Sequence, residues 1–218
     1  MPNWCNNQVE ISGPNKIIDQ IQKIVDENHI KDDNDPNIPE DQGLLDWMCP
    51  MPKELRQTTA DGSERKDLLE KYGHSDWYSW ANDNWGTKWD IHEFYGFDRQ
   101  YHKEQNEGES TITFGFDTAW APALTAFETW LAKNDECSVK CTYYEPGCDF
   151  AGVWDNGHDQ CIEISKSAPK GSQDRFWNTQ LGKTLDGYFG IVESMAQYEE
   201  DHLEDVHKYA KGEAVNVD

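Results

Sequence analysis

The chain has 218 residues, and its 19 lysines and arginines face 42 aspartates and glutamates, for a formal net charge of −23. A field of that sign repels nucleic-acid phosphates and anionic membrane faces, so direct DNA binding is not expected, whereas partners with basic surfaces are favoured; plain solubility is the alternative use of such acidity. No run approaches the roughly 18 apolar residues of a membrane span, and six dilute cysteines behind an N-terminus with no leader pattern predict reduced thiols in a soluble intracellular protein.

In "WCNNQVEIS", residues 4–12, alternation places Cys5, Asn7, Val9 and Ile11 on one side of a strand. "SGPNK" then turns into a helix whose Ile17, Ile18, Ile21, Ile24 and Val25 make one apolar face that needs a sheet to cover. Between Asp26 and Asp41 the periodicity vanishes, and two prolines among acidic residues predict an exposed loop. "LLDWMCPMP" restores order, but "KELRQTTADGSERKDLLEKYG" is polar, with one short helix near Asp67 to Tyr72, so this central region reads as an insertion and not as core. Next, "HSDWYSWANDNWGTKWD" carries four tryptophans and almost no aliphatic side chain, which suits either the capping of a sheet end or a gripping surface.

"STITFGFDTAW" alternates Ile112, Phe114 and Phe116 inward as a strand, and Pro122 opens an amphipathic helix through Ala123, Phe127, Trp130 and Leu131, with Thr118 or a neighbour as cap. "CSVKCTYYEPG" reads as a strand with Cys137, Val139, Cys141 and Tyr143 on one face, and "DFAGVW" and "QCIEIS" as strands joined by the turn "DNGH". Strand, helix, strand, strand, helix, strand and a terminal hairpin predict an α+β fold over residues 1–165, a ferredoxin-like antiparallel sheet with two packed helices. Past the linker "KSAPKGSQ", residues 166–218 read as a helical extension in which Leu181, Leu185, Phe189, Val192 and Met195 keep helical spacing. Gly182, Gly187 and Gly190 predict two helices or a kink there.

Cys137, Cys141, Cys148, His158 and Cys161 bring zinc to mind, but paired knuckles are missing and Cys137 and Cys141 alternate with Val139 on one strand face, as small buried hydrophobes do. No nucleotide-binding glycine loop, metalloprotease helix or nucleophile elbow occurs. Neither a metal nor a cofactor is expected, and no catalytic constellation stands out.

"MPNWCNN" at the start, "CPMP" at 49–52, "NWGTKWD" at 84–90, "FDTAWAPA" at 116–123 and "YYEPGCDFAGVW" at 143–154 together resemble the YubB-type ferredoxin-like domain family of bacteriophages and conjugative plasmids, over roughly residues 1 to 165. The resemblance implies a ferredoxin-like topology and a mobile-element origin in the host cell cytoplasm; it brings no catalytic residues, because fold does not carry function. The shared motifs are rich in polar and aromatic residues. We therefore expect a binding pocket at one end of the sheet, with Trp85, Trp89 and Trp120 as walls, Lys88, Asp90 and Glu145 as polar anchors, and Asn84 beside them.

These features lead to a non-enzymatic accessory protein that inhibits or modulates a host process, a defence system above all. Two mechanisms are expected of it: nucleic-acid mimicry against a host protein with a basic or nucleic-acid-binding surface, or sequestration of a small nucleotide on Lys88 and stacking tryptophans. The alternatives are an enzyme acting on nucleotides or nucleic acid, with Asp90, Glu145 and His92 or His158 as acid, base or metal ligands, and a structural protein that forms homo-oligomers through its C-terminal helices.

Overall fold

The computed structural model of the chain describes residues 2–28, 43–91, 93–102, 108–167, 176–198 and 200. They divide into two units, Met1–Ile164 and Ser165–Asp218. Most of the loop expected between Asp26 and Asp41 lies outside the described residues, as does His92.

The first unit opens with strand β1 (Trp4–Pro14) and helix α1 (Asn15–Asn28). Four short helices follow, α2 (Leu44–Met48), α3 (Lys53–Arg56), α4 (Lys66–Tyr72) and α5 (Trp77–Asn84). Then come β2 (Tyr95–Tyr101), β3 (Glu109–Ala119), α6 (Leu124–Leu131), β4 (Ser138–Glu145), β5 (Phe150–Asp155) and β6 (His158–Glu163), with α7 (Ile164–Ser167) at the boundary. The fold is α+β. Its six strands form one sheet in the order β2-β3-β1-β4-β5-β6, and all five neighbouring pairs are antiparallel.

Alternation decides what faces the core. On β1, Cys5, Val9 and Ile11 are buried with the polar Asn7, and Ile112, Phe114 and Phe116 of β3 and Val139, Cys141 and Tyr143 of β4 join them. Ile18, Ile21 and Val25 of α1 and Ala126, Phe127 and Trp130 of α6 belong to the same apolar cluster, and the ring of Phe127 meets that of Trp154 on β5 at 6.1 Å. Each of the valine, isoleucine and phenylalanine side chains among them, removed from water, contributes about 1.5–3 kcal/mol. The β5–β6 turn places Asn156 at φ 46 and Gly157 at φ 91, the left-handed pair that a two-residue hairpin requires.

Two expectations change. The central region is core, not insertion: Leu44, Leu45 and Leu55 are fully buried in the main cluster, and α2 touches both α1 and α6. Short helices conceal this, because α3, α4 and α5 each bury only one or two apolar residues and none of the four, α2 with its three included, is long enough for periodicity to show. In "NWGTKWD", α5 ends at Asn84, and turns and bends run from Trp85 to Trp89. Helix α6 begins at Leu124 behind Ala123, with no side-chain cap, while Thr118 is a β3 residue whose hydroxyl accepts from Asn7 Nδ2 at 2.8 Å.

In the second unit, helix α8 (Gln180–Phe189) is capped by Thr179, whose hydroxyl accepts from the Gly182 N–H at 3.1 Å. Gly190 ends it at φ 60, and residues 191–198 are helical again. The break thus falls at the last of the three glycines, where the left-handed backbone favours glycine. Among the described residues no helix is long and apolar enough to cross a membrane.

Candidate functional site

The motif segments meet at one end of the sheet, where β1 starts and β3 and β4 finish. Trp4 pairs with Ala119 and Asn6 with both Asp117 and Tyr144, which fixes this register. The Asn3 carbonyl accepts from the Trp120 N–H at 3.0 Å, and its side-chain amide donates to the Cys148 thiol at 3.7 Å. Thr87 donates to the Ala119 carbonyl at 2.9 Å, and Gly86, at φ 84, lies so close to the Pro122 carbonyl that a Cβ there would press on it. "NWGTKWD" is therefore clamped onto the β3–α6 corner.

At this end a groove of about 600 Å³ is lined by Trp4, Trp89, Asp90, Ile91, Glu93, Tyr95, Asp117, Thr118 and Ala119. Strand parity explains its walls. Cys5 and Asn7 point to the core, so Trp4 and Asn6 point away from it, and across the ladder Asp117 stands between the buried Phe116 and Thr118 on the same outer side. Trp4 and Trp89 meet with ring centroids 6.1 Å apart and planes tilted by 39°. Both keep much of their surface in solvent, 49% and 39%.

The Tyr95 ring lies against Gly115, where any Cβ would collide with it. Its hydroxyl donates to Asp117 Oδ1 at 3.1 Å, and Asn6 Nδ2 donates to the same oxygen at 2.7 Å. Burial and the Asp117 charge raise the Tyr95 phenol, which keeps it a neutral donor. Asp117 Oδ2 takes no hydrogen bond from a described residue, and neither does the exposed Glu93 carboxylate. Among the described lining residues there is no lysine or arginine.

The seven residues expected to build one pocket are divided. Trp89 and Asp90 line the groove. Lys88 sits over the Trp89 ring at 4.1 Å and 5.8 Å from the Tyr78 ring. Trp120 is not among the described lining residues; it is 45% exposed and at φ 71, a backbone region that bulky side chains rarely adopt.

Trp85 is not a wall: it is 3% exposed, its indole N–H donates to the Cys49 carbonyl at 2.8 Å, and its ring meets Trp80 edge-on at 5.5 Å. Asn84 is bound within its helix to the Trp80 carbonyl at 2.9 Å. Glu145 is no anchor either, since its buried carboxylate accepts from the Gly147 N–H at 3.1 Å and from the Cys148 N–H, fixing the turn after β4.

Asp90 has a double position. It touches the groove, yet its carboxylate accepts from Leu45 N–H at 2.7 Å, Asp46 N–H at 3.1 Å and Ile91 N–H at 2.7 Å, so it caps α2 from 45 residues away. Gly43 makes room for it; a Cβ there would overlap the carboxylate. Burial outweighs the three donors and pushes the Asp90 carboxyl up to about 6.

Residues absent from the expected pocket, Trp4, Glu93, Tyr95 and Asp117, make up much of the groove. Trp4 and Asp117 were findable from parity, as the outward neighbours of residues assigned inward. Tyr95 was not, because β2 is exposed along nearly its whole length and carries no alternation.

No family model matches the chain, and no curated protein does. A crystal structure of the protein api92 from Yersinia pseudotuberculosis, with the family model DUF1281, is similar at 12% identity, covering 75% of this chain and 98% of that one with a TM-score of 0.37. A likeness that low carries no argument about fold or function.

Proposed function

We propose that this chain is a non-enzymatic accessory protein of a phage or conjugative plasmid that acts in the host cytoplasm by occupying a basic, nucleic-acid-binding surface of a host protein, a defence component above all. The scaffold is read as ferredoxin-like. What supports this is the succession β1-α1-β2-β3-α6-β4, with α2 to α5 lying between α1 and β2, and the strand order β4-β1-β3-β2, extended past β4 by the β5–β6 hairpin.

The observation that carries the choice of partner is the groove's lining, three exposed aromatic rings with Asp90, Glu93 and Asp117 and no lysine or arginine among the described lining residues, so that the Lys88 ammonium 4.1 Å from the Trp89 ring is outnumbered by carboxylates. A phosphate charge about 4 Å from Asp117 would be opposed by about 4 kcal/mol at an effective dielectric near 20, so the groove disfavours a nucleotide and favours a cationic surface. The formal charge of −23 extends the same preference over the whole molecule. An enzymatic reading loses two of its candidates, because the Asp90 and Glu145 carboxylates are engaged by backbone N–H groups.

The test is capture from bacterial lysate on immobilised protein, with stepwise salt elution and mass spectrometry of retained proteins and small molecules. The expected result is a nucleic-acid-binding protein released by salt and displaced by duplex DNA. A bound nucleotide without a protein, or a captured protein indifferent to duplex DNA, refutes the reading.

A further inference from the structure

We infer that the groove is a receptor for an arginine side chain of the partner, with the guanidinium laid flat on the indole surface of Trp4 and Trp89 and its N–H fork turned to Asp117 and Glu93. This rests on the reading of a basic protein partner and specifies the group by which that partner is held.

The ring geometry comes first. With centroids 6.1 Å apart and planes at 39°, Trp4 and Trp89 form an open angle and not a slot, so a planar cation stacks on their outer surface and does not slide between them. Lys88 Nζ lies 4.1 Å from the Trp89 centroid, so this indole already holds one cation, and the guanidinium is placed on the indole surface of Trp4 and Trp89 that stays in solvent. Indole holds cations better than the other aromatic rings do.

The carboxylates come second. Asn6 and Tyr95 both donate to Asp117 Oδ1, which fixes the orientation of that side chain and leaves Oδ2 to accept from a ligand. Glu93 brings a second carboxylate to the same groove. A guanidinium has five donors in a rigid plane and is weakly hydrated, so it can stack and bridge two carboxylates at once, whereas an ammonium is compact and strongly hydrated. A cavity of about 600 Å³ is larger than one such group needs, leaving room for the flanking peptide backbone.

Isothermal titration at near-physiological salt with capped hexa-arginine, capped hexa-lysine and ATP tests this, because the two peptides carry equal charge. The expected result is at least about tenfold tighter binding of hexa-arginine than of hexa-lysine. Trp4→Ala and Trp89→Ala should each remove most of that difference, and Glu93→Gln, at an exposed carboxylate, should reduce it with an unchanged melting temperature, so that the test survives a misfolded tryptophan variant. Equal affinity for the two peptides, steeply salt-dependent and insensitive to these variants, overturns the arginine receptor and leaves the acidic-surface reading standing. If neither peptide binds, or if ATP binds and Trp89→Ala abolishes it, both readings fall.

Discussion

Asp90 makes a carboxylate behave against the usual trend of stability with pH. Its ionised form is favoured by three backbone donors at 2.7, 3.1 and 2.7 Å and disfavoured by burial, to which the Asp46 charge adds, and the balance lifts it from 3.8 to about 6. Between those two values the folded chain binds more protons than the unfolded chain. The contribution of Asp90 is therefore fully present below about pH 3.8 and is lost as pH rises through about 6. A rise of about two pH units at 1.36 kcal/mol each is about 3 kcal/mol in all, of which about 2 falls between pH 4.5 and 7.5. Other carboxylates titrate in the same range, so the measurement is a difference: urea unfolding of wild type and Asp90→Asn at both pH values. Asparagine keeps an oxygen acceptor for α2 and has no charge to desolvate. The variant is expected to gain about 2 kcal/mol on the wild type as pH rises. A flat difference would show that the three donors match burial, and a wild type that gains on the variant would show that they outweigh it; either would refute the reasoning.

Trp85→Ala and Trp89→Ala separate core from groove: the first should cost about 3–5 kcal/mol in chemical unfolding and the second, at a ring 39% exposed, well under half of that. At Trp120, with φ 71, Trp120→Gly is expected to be more stable than Trp120→Ala by about 1 kcal/mol, reversing their usual order, because both lose the indole and only glycine is relaxed in that backbone region; equal melting temperatures would contradict it. Glu145→Gln should cost about 1–3 kcal/mol through the turn that Glu145 bonds. The Glu145 carboxylate also holds the exposed Cys148 thiol above its ordinary range, so the same variant should speed alkylation of Cys148 by iodoacetamide at mildly alkaline pH, and an unchanged rate would remove that electrostatic link.

The strands that bury one face were legible because alternation is a local signal: Cys5, Val9 and Ile11, Ile112, Phe114 and Phe116, and Val139, Cys141 and Tyr143 all point where their parity sends them. Helix α1 was legible for the same reason, with Ile18, Ile21 and Val25 on one face. The stretch from Leu44 to Phe94 was not, because its buried residues, such as Leu55 and Trp80, fall in short segments that sustain no period. Strand β2 was hidden for the opposite reason, being an exposed edge held to α1 by polar contacts: Arg99 donates to Gln22 Oε1 at 2.6 Å and lies 2.8 Å from Asp19 Oδ1.

The site shows why composition alone reads ambiguously in so acidic and aromatic a chain. Trp80 and Trp85 differ from Trp4 and Trp89 in where their edges lie: the indole N–H of Trp85 is bonded inside the protein, whereas Trp4 and Trp89 touch each other at the surface. The carboxylates divide in the same way. Asp90 and Glu145 face backbone N–H groups, while Asp117 and Glu93 face the groove, with lone pairs that no described residue takes. A carboxylate engaged by three amides holds a fold together; a carboxylate oriented by two donors on one oxygen, with its other oxygen open beside an indole face, is arranged to receive a cation. Strand parity places Asp117 on the outer side, but only the backbone donors, Leu45 and Asp46 far along the chain for Asp90 and Gly147 and Cys148 in the next turn for Glu145, tell which of the acidic residues are already committed.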